Sequence, residues 1–102
     1  MKGIRLTDSE VLTICKIFRS HFLASDHLWI FGSRVDLNKR GGDIDLYIET
    51  KMSAENASEA RIKFLTNLEI ALGEQKIDVV LKIGGFGLPI YEVAKEKGIK
   101  LL

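Results

Sequence analysis

Two carboxylates two residues apart, Asp43 and Asp45, are the residues of this sequence best suited to chemistry. Alternate side chains of a β-strand point to the same face, so we expect both carboxylates on one face and Ile44 on the other. At about 7 Å apart they would repel each other by about 2 kcal/mol at an effective dielectric of about 20. A bound divalent cation would turn that repulsion into attraction, and the pair therefore predicts a metal site.

A small-residue turn precedes these carboxylates and is separated from them by nine residues. Gly32 follows a short apolar run, and a glycine between a strand and a helix lets phosphate oxygens approach backbone amides. Ser33 adds a hydroxyl donor and Arg34 adds a positive charge. We therefore predict a triphosphate-binding turn at Gly32, Ser33 and Arg34. Lys39 and Arg40 add further charge, although an ordinary exposed loop explains them better.

Asp78 is the predicted third acid of the site. It is the only charged residue in the apolar run 77–81, and it would share a sheet face with Asp43 and Asp45 if the two strands are neighbours. Mg²⁺ prefers carboxylate and phosphate oxygens as ligands. The three acids thus predict a magnesium site for in-line attack of a hydroxyl on the α-phosphorus of a nucleoside triphosphate, with Asp78 also able to activate that hydroxyl.

Each acid also has a simpler explanation. For Asp43 and Asp45 the alternative is a pair of solvated carboxylates at the start of a strand. Asp78 is acceptable as a carboxylate at a sheet edge, paired with a lysine such as Lys76. The three acids together with the Gly-Ser turn favour the site over these explanations.

Other residues that could bind a ligand have structural explanations. His21 and His27 have no Cys or carboxylate residue at metal-ligand spacing, so neither is assigned a ligand role. Trp29 and Phe31 are expected in the core, because aromatic residues of an apolar strand are usually buried. Tyr47 would share the aspartate face and line the site.

The first half of the chain predicts the elements that position the turn and the aspartates. Thr7-Asp8-Ser9-Glu10 is a capping box, and apolar residues then recur at three- and four-residue spacing, so a helix is expected to about residue 23. The apolar run 28–31 predicts a buried strand that Gly32 ends. A short helix is expected over 33–38, and a strand over 43–49.

The second half predicts a long helix, a strand and a short helix. The long helix should begin at Ser53 and end at Gly73. A strand is expected over 76–83, a helix from Pro89 to Gly98, and a short closing strand at the tail. The predicted fold class is α+β, with a short mixed sheet and helices packed on one face.

Length and composition indicate one globular domain over residues 1–102. The 102 residues are 46% hydrophobic and 28% charged, with a net charge of +1, so no general field for nucleic acid or an anionic membrane is present. No apolar run approaches the roughly 20 residues that span a bilayer. The single Cys15 has no partner in the chain, which fits a reducing cytoplasm.

The order of these motifs resembles the minimal nucleotidyltransferases of the DNA polymerase beta superfamily. The similarity consists of a strand followed by Gly32-Ser33-Arg34, a basic spacer that contains glycine, the strand Asp43-Ile44-Asp45-Leu46, and Asp78 on a later strand. It extends over nearly the whole chain. The resemblance implies the nucleotidyltransferase fold, with Asp43, Asp45 and Asp78 at the metal-carboxylate positions and with Gly32 and Ser33 at the triphosphate-binding turn.

The resemblance also implies a reaction and a partner. The reaction is magnesium-dependent transfer of AMP from ATP to an acceptor hydroxyl. Many single-domain members resemble antitoxins that adenylylate a tyrosine of a small helical toxin of the HEPN (higher-eukaryote-and-prokaryote nucleotide-binding) class. We therefore expect a protein adenylyltransferase that acts as an antitoxin, and the alternative is a non-catalytic antitoxin that neutralises a toxin by contact alone. Transfer to nucleic acid is disfavoured because 102 residues leave no separate domain to grip it, and the open sheet edge allows self-association.

Overall fold

The computed structural model describes residues 3–35, 42–73, 75–85 and 87–102. Three helices and four strands make up these ranges, together with a short 3₁₀ helix at Gly32–Val35. The helices are α1, α2 and α3 at Asp8–His21, Ala54–Leu72 and Pro89–Lys97. The strands are β1, β2, β3 and β4 at His27–Phe31, Ile44–Thr50, Ile77–Ile83 and Ile99–Lys100. None of the described helices is long and apolar enough to cross a membrane.

The strands form one mixed sheet in the order β3-β2-β1-β4. Strand β1 pairs antiparallel with β2 and with β4, whereas β2 and β3 are parallel. The parallel pair follows from the chain order, since α2 carries the chain from the end of β2 back to the start of β3. The predicted α+β class is confirmed, and so is the closing strand at the tail.

Helix α1 begins where the capping box predicted. The Thr7 hydroxyl accepts a hydrogen bond from the Glu10 amide at 3.0 Å, and the Glu10 carboxylate accepts one from the Thr7 amide at 2.9 Å. These bonds satisfy two amides that a helix start otherwise leaves without partners. The buried stripe of Val11, Ile14 and Phe18 packs into the core.

Helix α2 covers the same face of the sheet as α1. Ser53 caps its start, and Gly73 ends it with a φ of +81°, a conformation that glycine adopts at low cost. Its buried Phe64 meets Phe18 of α1 edge to face, with ring centroids 6.0 Å apart. The two long helices thus bury one side of the sheet, as predicted for helices packed on one face.

Helix α3 differs from that prediction because it packs on the other face of the sheet. Its buried residues Tyr91 and Ala94 form a second cluster with Trp29 of β1 and Tyr47 of β2. Strand alternation points Trp29 and Tyr47 away from the face that α1 and α2 cover, so their rings need a separate cover. Trp29 lies in a core, as expected from the sequence.

A buried carboxylate fastens the loop before β1 to the end of β2. Asp26 is 1% exposed and accepts hydrogen bonds from the Leu23 amide at 2.9 Å, the Thr50 hydroxyl at 2.7 Å and the Lys51 amide at 3.0 Å. A buried charge is tolerated when donors surround it in this way. No local sequence pattern reveals this link, because Thr50 and Lys51 lie 24 and 25 residues from Asp26.

Candidate functional site

The pairing of β2 with β3 brings two of the predicted acids side by side. Asp45 of β2 is the register partner of Asp78 of β3. Paired residues of adjacent parallel strands point to the same face, and such strands lie about 4.8 Å apart. The sequence left this proximity conditional on the strands being neighbours, and the structure supplies that condition. Both carboxylates lie on the face that α3 partly covers.

Asp43 lies just before β2, one residue outside the strand. Its carboxylate forms an ion pair with the Lys76 ammonium at 3.5 Å. The backbone of the same stretch is fixed, because the Ile44 amide donates to the Lys76 carbonyl at 3.0 Å. Lys76, the alternative partner considered for Asp78, is thus paired with Asp43. Asp43 and Asp78 flank Asp45 from two chain segments.

The electrostatic environment of Asp45 is unfavourable for a charged carboxylate. Partial burial raises the pKa of Asp45, and the neighbouring Asp78 and Asp43 carboxylates raise that pKa further, whereas Lys76 opposes them. A carboxylate among like charges is destabilised in its ionised form. Added positive charge would relieve this, so the electrostatics fit a cation beside Asp45.

The backbone of Gly32 lies against the Asp45 side chain. Gly32 has a φ of +75°, and a Cβ atom at this position would collide with an Asp45 carboxylate oxygen. The positive φ therefore favours glycine, and a larger residue would also force the Asp45 side chain to move. The Gly32 turn and Asp45, predicted as two parts of one site, are in contact.

Arg34 is held by contacts other than those predicted. Its guanidinium donates to the Arg5 carbonyl at 2.9 Å and to the Gln75 side-chain oxygen at 3.3 Å. Gln75 in turn donates to the Leu72 carbonyl at the end of α2. These bonds tie Arg34 to the scaffold, and its role toward a triphosphate stays a prediction. The sequence could not show partners 29 and 41 residues away.

Part of the predicted phosphate-binding loop falls outside the description. Ser33 lies in the 3₁₀ helix, but its side chain is not described, and Lys39 and Arg40 lie outside the described residues. A short helix was predicted over 33–38, and a 3₁₀ helix is present at Gly32–Val35. The remainder of the predicted helix, 36–38, lies outside the described residues.

The donor chemistry of the three acids fits Mg²⁺, which binds carboxylate oxygens and keeps several waters. Within the described ranges, no group of three or more His, Cys, Asp or Glu side chains is arranged to hold a metal ion. The metal-ligand roles of Asp43, Asp45 and Asp78 therefore stay predictions that the pKa of Asp45 and the shared face make reasonable.

A polar network that the sequence did not reveal continues along the same face of β2. The Tyr47 hydroxyl donates to the Glu49 carboxylate at 2.6 Å, and the Lys95 ammonium lies 3.3 Å from that carboxylate. Burial and the Glu49 charge raise the pKa of Tyr47, so the phenol stays protonated. Tyr47 therefore supports the aspartate face without acting as a base.

A cleft of about 390 Å³ lies at the opposite end of β2, lined by residues that include Asp26, Thr50 and Lys82. Its buried carboxylate is already satisfied by three donors. The carboxylates of the candidate site lie at the Ile44 end of the strand, so this cleft is a separate feature.

Comparison with known proteins adds no relative: no family model and no curated protein matches the sequence. The case for a function rests on the residues of this chain. The strongest observation is the contact of the Gly32 turn with Asp45, which lies beside Asp78 on the neighbouring strand.

Proposed function

We propose that the protein is a magnesium-dependent nucleotidyltransferase that moves AMP from ATP to a hydroxyl of a partner protein. The observation that carries the proposal is the position of Asp45, which lies between the Gly32 turn and Asp78. Such a site combines a backbone turn open to phosphate with carboxylates on one face. The sequence resemblance to minimal nucleotidyltransferases supports the same reaction.

The carboxylates would hold the metal and order the reactants. Asp45 and Asp78 share a face of the sheet. Asp43 lies two residues before Asp45 in the chain and is paired with Lys76. Mg²⁺ bound there would supply charge neutralisation for the triphosphate and its leaving pyrophosphate. Asp78 is the most exposed of the three acids, so it is the one best placed to accept the proton of an incoming hydroxyl.

The turn would receive the triphosphate tail. Gly32 has no side chain on the surface beside Asp45, so phosphate oxygens would be able to approach the backbone. Ser33 would donate its hydroxyl to the same oxygens, and Arg34 would add charge from the next position. Each of these roles is part of the proposal.

The proposed acceptor is a hydroxyl of a small helical HEPN-type toxin, so that the protein acts as its antitoxin in the cytoplasm. The resemblance supports this partner. All described elements belong to one sheet and its covering helices, which leaves the described residues without a second unit to grip a nucleic-acid end.

The second candidate is an antitoxin that neutralises its toxin by contact alone. One observation favours it: the Arg34 guanidinium is bonded to Arg5 and Gln75, which leaves it less able to bind a triphosphate. In this candidate the fold provides only a binding surface, and the three acids have no part in neutralisation.

Label transfer distinguishes the two candidates. The purified protein is incubated with Mg²⁺, ATP labelled at the α-phosphate and the product of the neighbouring gene. We expect label on the partner, and a loss of about 100-fold with Asp45→Asn, the size of effect expected when a metal ligand is disturbed. A folded protein that transfers no label would contradict the enzymatic function.

Glu59→Gln is the matched control, because it removes one exposed carboxylate on α2, paired with Lys63 at 3.2 Å. Labelling by this variant should equal that of the wild type. The same variants are then tested for neutralisation of the toxin in cells. Neutralisation that survives both Asp43→Asn and Asp45→Asn would favour the contact-only antitoxin.

A further inference from the structure

Strand β3 lies at one end of the described sheet, with β2 on one side only. The Ile44 amide donates to the Lys76 carbonyl. This hydrogen bond shows which residues of β3 turn their backbone groups toward β2. Even-numbered residues of β3 therefore direct their backbone groups to β2, and odd-numbered residues direct theirs outward. The outward set consists of Ile77, Val79, Leu81 and Ile83.

The sequence of β3 is self-complementary about Val80. Antiparallel pairing of two copies centred there would place Ile77 opposite Ile83 and Val79 opposite Leu81, and all of these residues have outward backbone groups. The remaining cross-strand pair would be Asp78 with Lys82, one acid against one base on each side of the centre. Opposite charges in directly facing positions stabilise an antiparallel pair.

We propose that two copies of this protein pair antiparallel along β3, with a twofold axis at Val80, to form a continuous eight-stranded sheet. All seven residues of the strand take part in this register. A shift by two residues keeps the hydrogen-bonding phase but separates Asp78 from Lys82. The positions of Asp78 and Lys82 therefore favour a second copy of this chain as the partner of β3, and they favour this register over its neighbours.

The described contacts of the edge are compatible with this pairing. Two outward carbonyls accept long hydrogen bonds from side chains: Val79 from Arg61 at 3.4 Å and Leu81 from Tyr91 at 3.3 Å. A carbonyl oxygen has two lone pairs, so each can also accept a strand amide. These two contacts show that the outward carbonyls of β3 accept hydrogen bonds from donors outside the sheet.

The dimer would also change the surroundings of the candidate site. A twofold axis perpendicular to the sheet keeps α1 and α2 of both copies on one face. Asp78 would then lie between Asp45 of its own chain and Lys82 of the second copy. The pairing does not rest on the proposed enzymatic function, since a chain without catalysis would dimerise equally well.

Sedimentation equilibrium from about 5 to 200 µM tests the dimer. We expect a concentration-dependent dimer for the wild type and a dimer at least about tenfold weaker for Lys82→Glu, which sets like charges opposite each other twice. The double variant Asp78→Lys with Lys82→Glu should restore wild-type association. Lys16→Glu, a charge reversal on the exposed surface of α1, should leave it unchanged.

A disulfide tests the register in a chain with its native charges. In a Cys15→Ala background, Val80→Cys should link two copies under mild oxidation, because facing residues without mutual hydrogen bonds have Cα atoms about 4.5 Å apart. Ile62→Cys, on an exposed part of α2, should not link at the same concentration.

A wild type that stays monomeric at 200 µM would overturn the proposal. It would also be overturned by a folded Lys82→Glu that dimerises like the wild type, or by a folded double variant that remains as weak as Lys82→Glu. Equal cross-linking of the Val80 and Ile62 cysteine variants would exclude the register. Circular dichroism establishes folding of every variant, and label transfer to the partner is read separately.

Discussion

The two ends of strand β2 hold carboxylates in opposite circumstances. At the Thr50 end, Asp26 is buried and accepts three hydrogen bonds that join two loops. At the Ile44 end, Asp45 is partly exposed and has Asp78 and Asp43 as neighbours, which raise its pKa together with burial. The Asp26 carboxylate stabilises the fold through its hydrogen bonds, whereas the surroundings of Asp45 disfavour its charged form.

The contrast separates a structural carboxylate from a candidate functional one. A residue whose partners are all satisfied needs no ligand to explain it, and Asp26 belongs to that group. A charged group that is destabilised by its own neighbours is a candidate for binding or catalysis. The comparison predicts that removing the two charges has opposite effects on stability.

Loss of the Asp26 carboxylate should destabilise the protein more than any other change considered below. Asp26→Ala should lower the free energy of unfolding by about 3 kcal/mol or more, because two amides and a hydroxyl lose their buried acceptor. Urea denaturation followed by circular dichroism measures the change. Thr50→Val removes one donor to Asp26 and the acceptor of the Met52 amide, and it should cost less, about 2 kcal/mol. A loss below 1 kcal/mol for Asp26→Ala would show that the loop is not fastened by this carboxylate.

The next effect is at Gly32. Gly32→Ala should lower stability by about 1 to 3 kcal/mol, because it combines a positive φ with a collision against Asp45. Gly84→Ala is the control for backbone strain alone, since Gly84 has a φ of +65° and no neighbour within 4 Å of an added Cβ. Equal losses for both variants would mean that the Gly32 turn does not press on Asp45.

Removal of the Asp45 charge should stabilise the protein. We expect Asp45→Asn to raise the free energy of unfolding by about 0.5 to 1 kcal/mol at pH 7 and low salt, the scale of partly exposed charge interactions. Asp43→Asn, which loses the ion pair with Lys76, should give no such gain. Destabilisation by Asp45→Asn would remove the contrast between the two ends of β2.

The pH dependence should distinguish Asp45 from Glu49, which lies on the same strand and face. The raised pKa of Asp45 means that the folded state takes up a proton before the unfolded state does. Its penalty is therefore present at neutral pH and shrinks as the pH falls through the folded pKa toward about 4, the unfolded value.

Glu49 has the opposite sign. Burial alone would raise the pKa of Glu49, but the Tyr47 hydroxyl and the Lys95 ammonium outweigh it and lower that pKa. Its contribution is present above the unfolded pKa and is lost as the pH falls through the folded one. Glu49→Gln should thus destabilise the protein at pH 7 and have less effect at low pH, as urea titrations at several pH values would show. Parallel curves for Asp45→Asn and Glu49→Gln would contradict the assigned environments.

Local signals in the sequence predicted much of the fold. The capping box at Thr7, the glycine after α2 and the proline at the start of α3 each act within one helical turn, and all three lie where predicted. The position of α3 was not predictable in this way. It depends on Trp29 and Tyr47 of separate strands, which form one apolar patch only after the sheet has formed.

The candidate site was predicted in part for the same reason. Spacing along one strand indicated the pair of acids at 43 and 45, and the Gly32 turn was evident from its neighbours in sequence. The pairing of Asp45 with Asp78 needed the strand register. The long-range tether of Arg34 and the bond from Asp26 to β2 have no local signal, because Arg5 lies 29 residues from Arg34 and Thr50 lies 24 residues from Asp26.

Titration calorimetry with ATP is the decisive measurement for the proposed nucleotide site, because it needs no acceptor protein. We expect the wild type to bind ATP in the presence of Mg²⁺ and to bind it at least about tenfold more weakly with EDTA or as Asp45→Asn. Glu59→Gln should bind like the wild type. No binding, or equal affinity for the wild type and Asp45→Asn with Mg²⁺ present, would contradict a nucleotide site at the Ile44 end of β2.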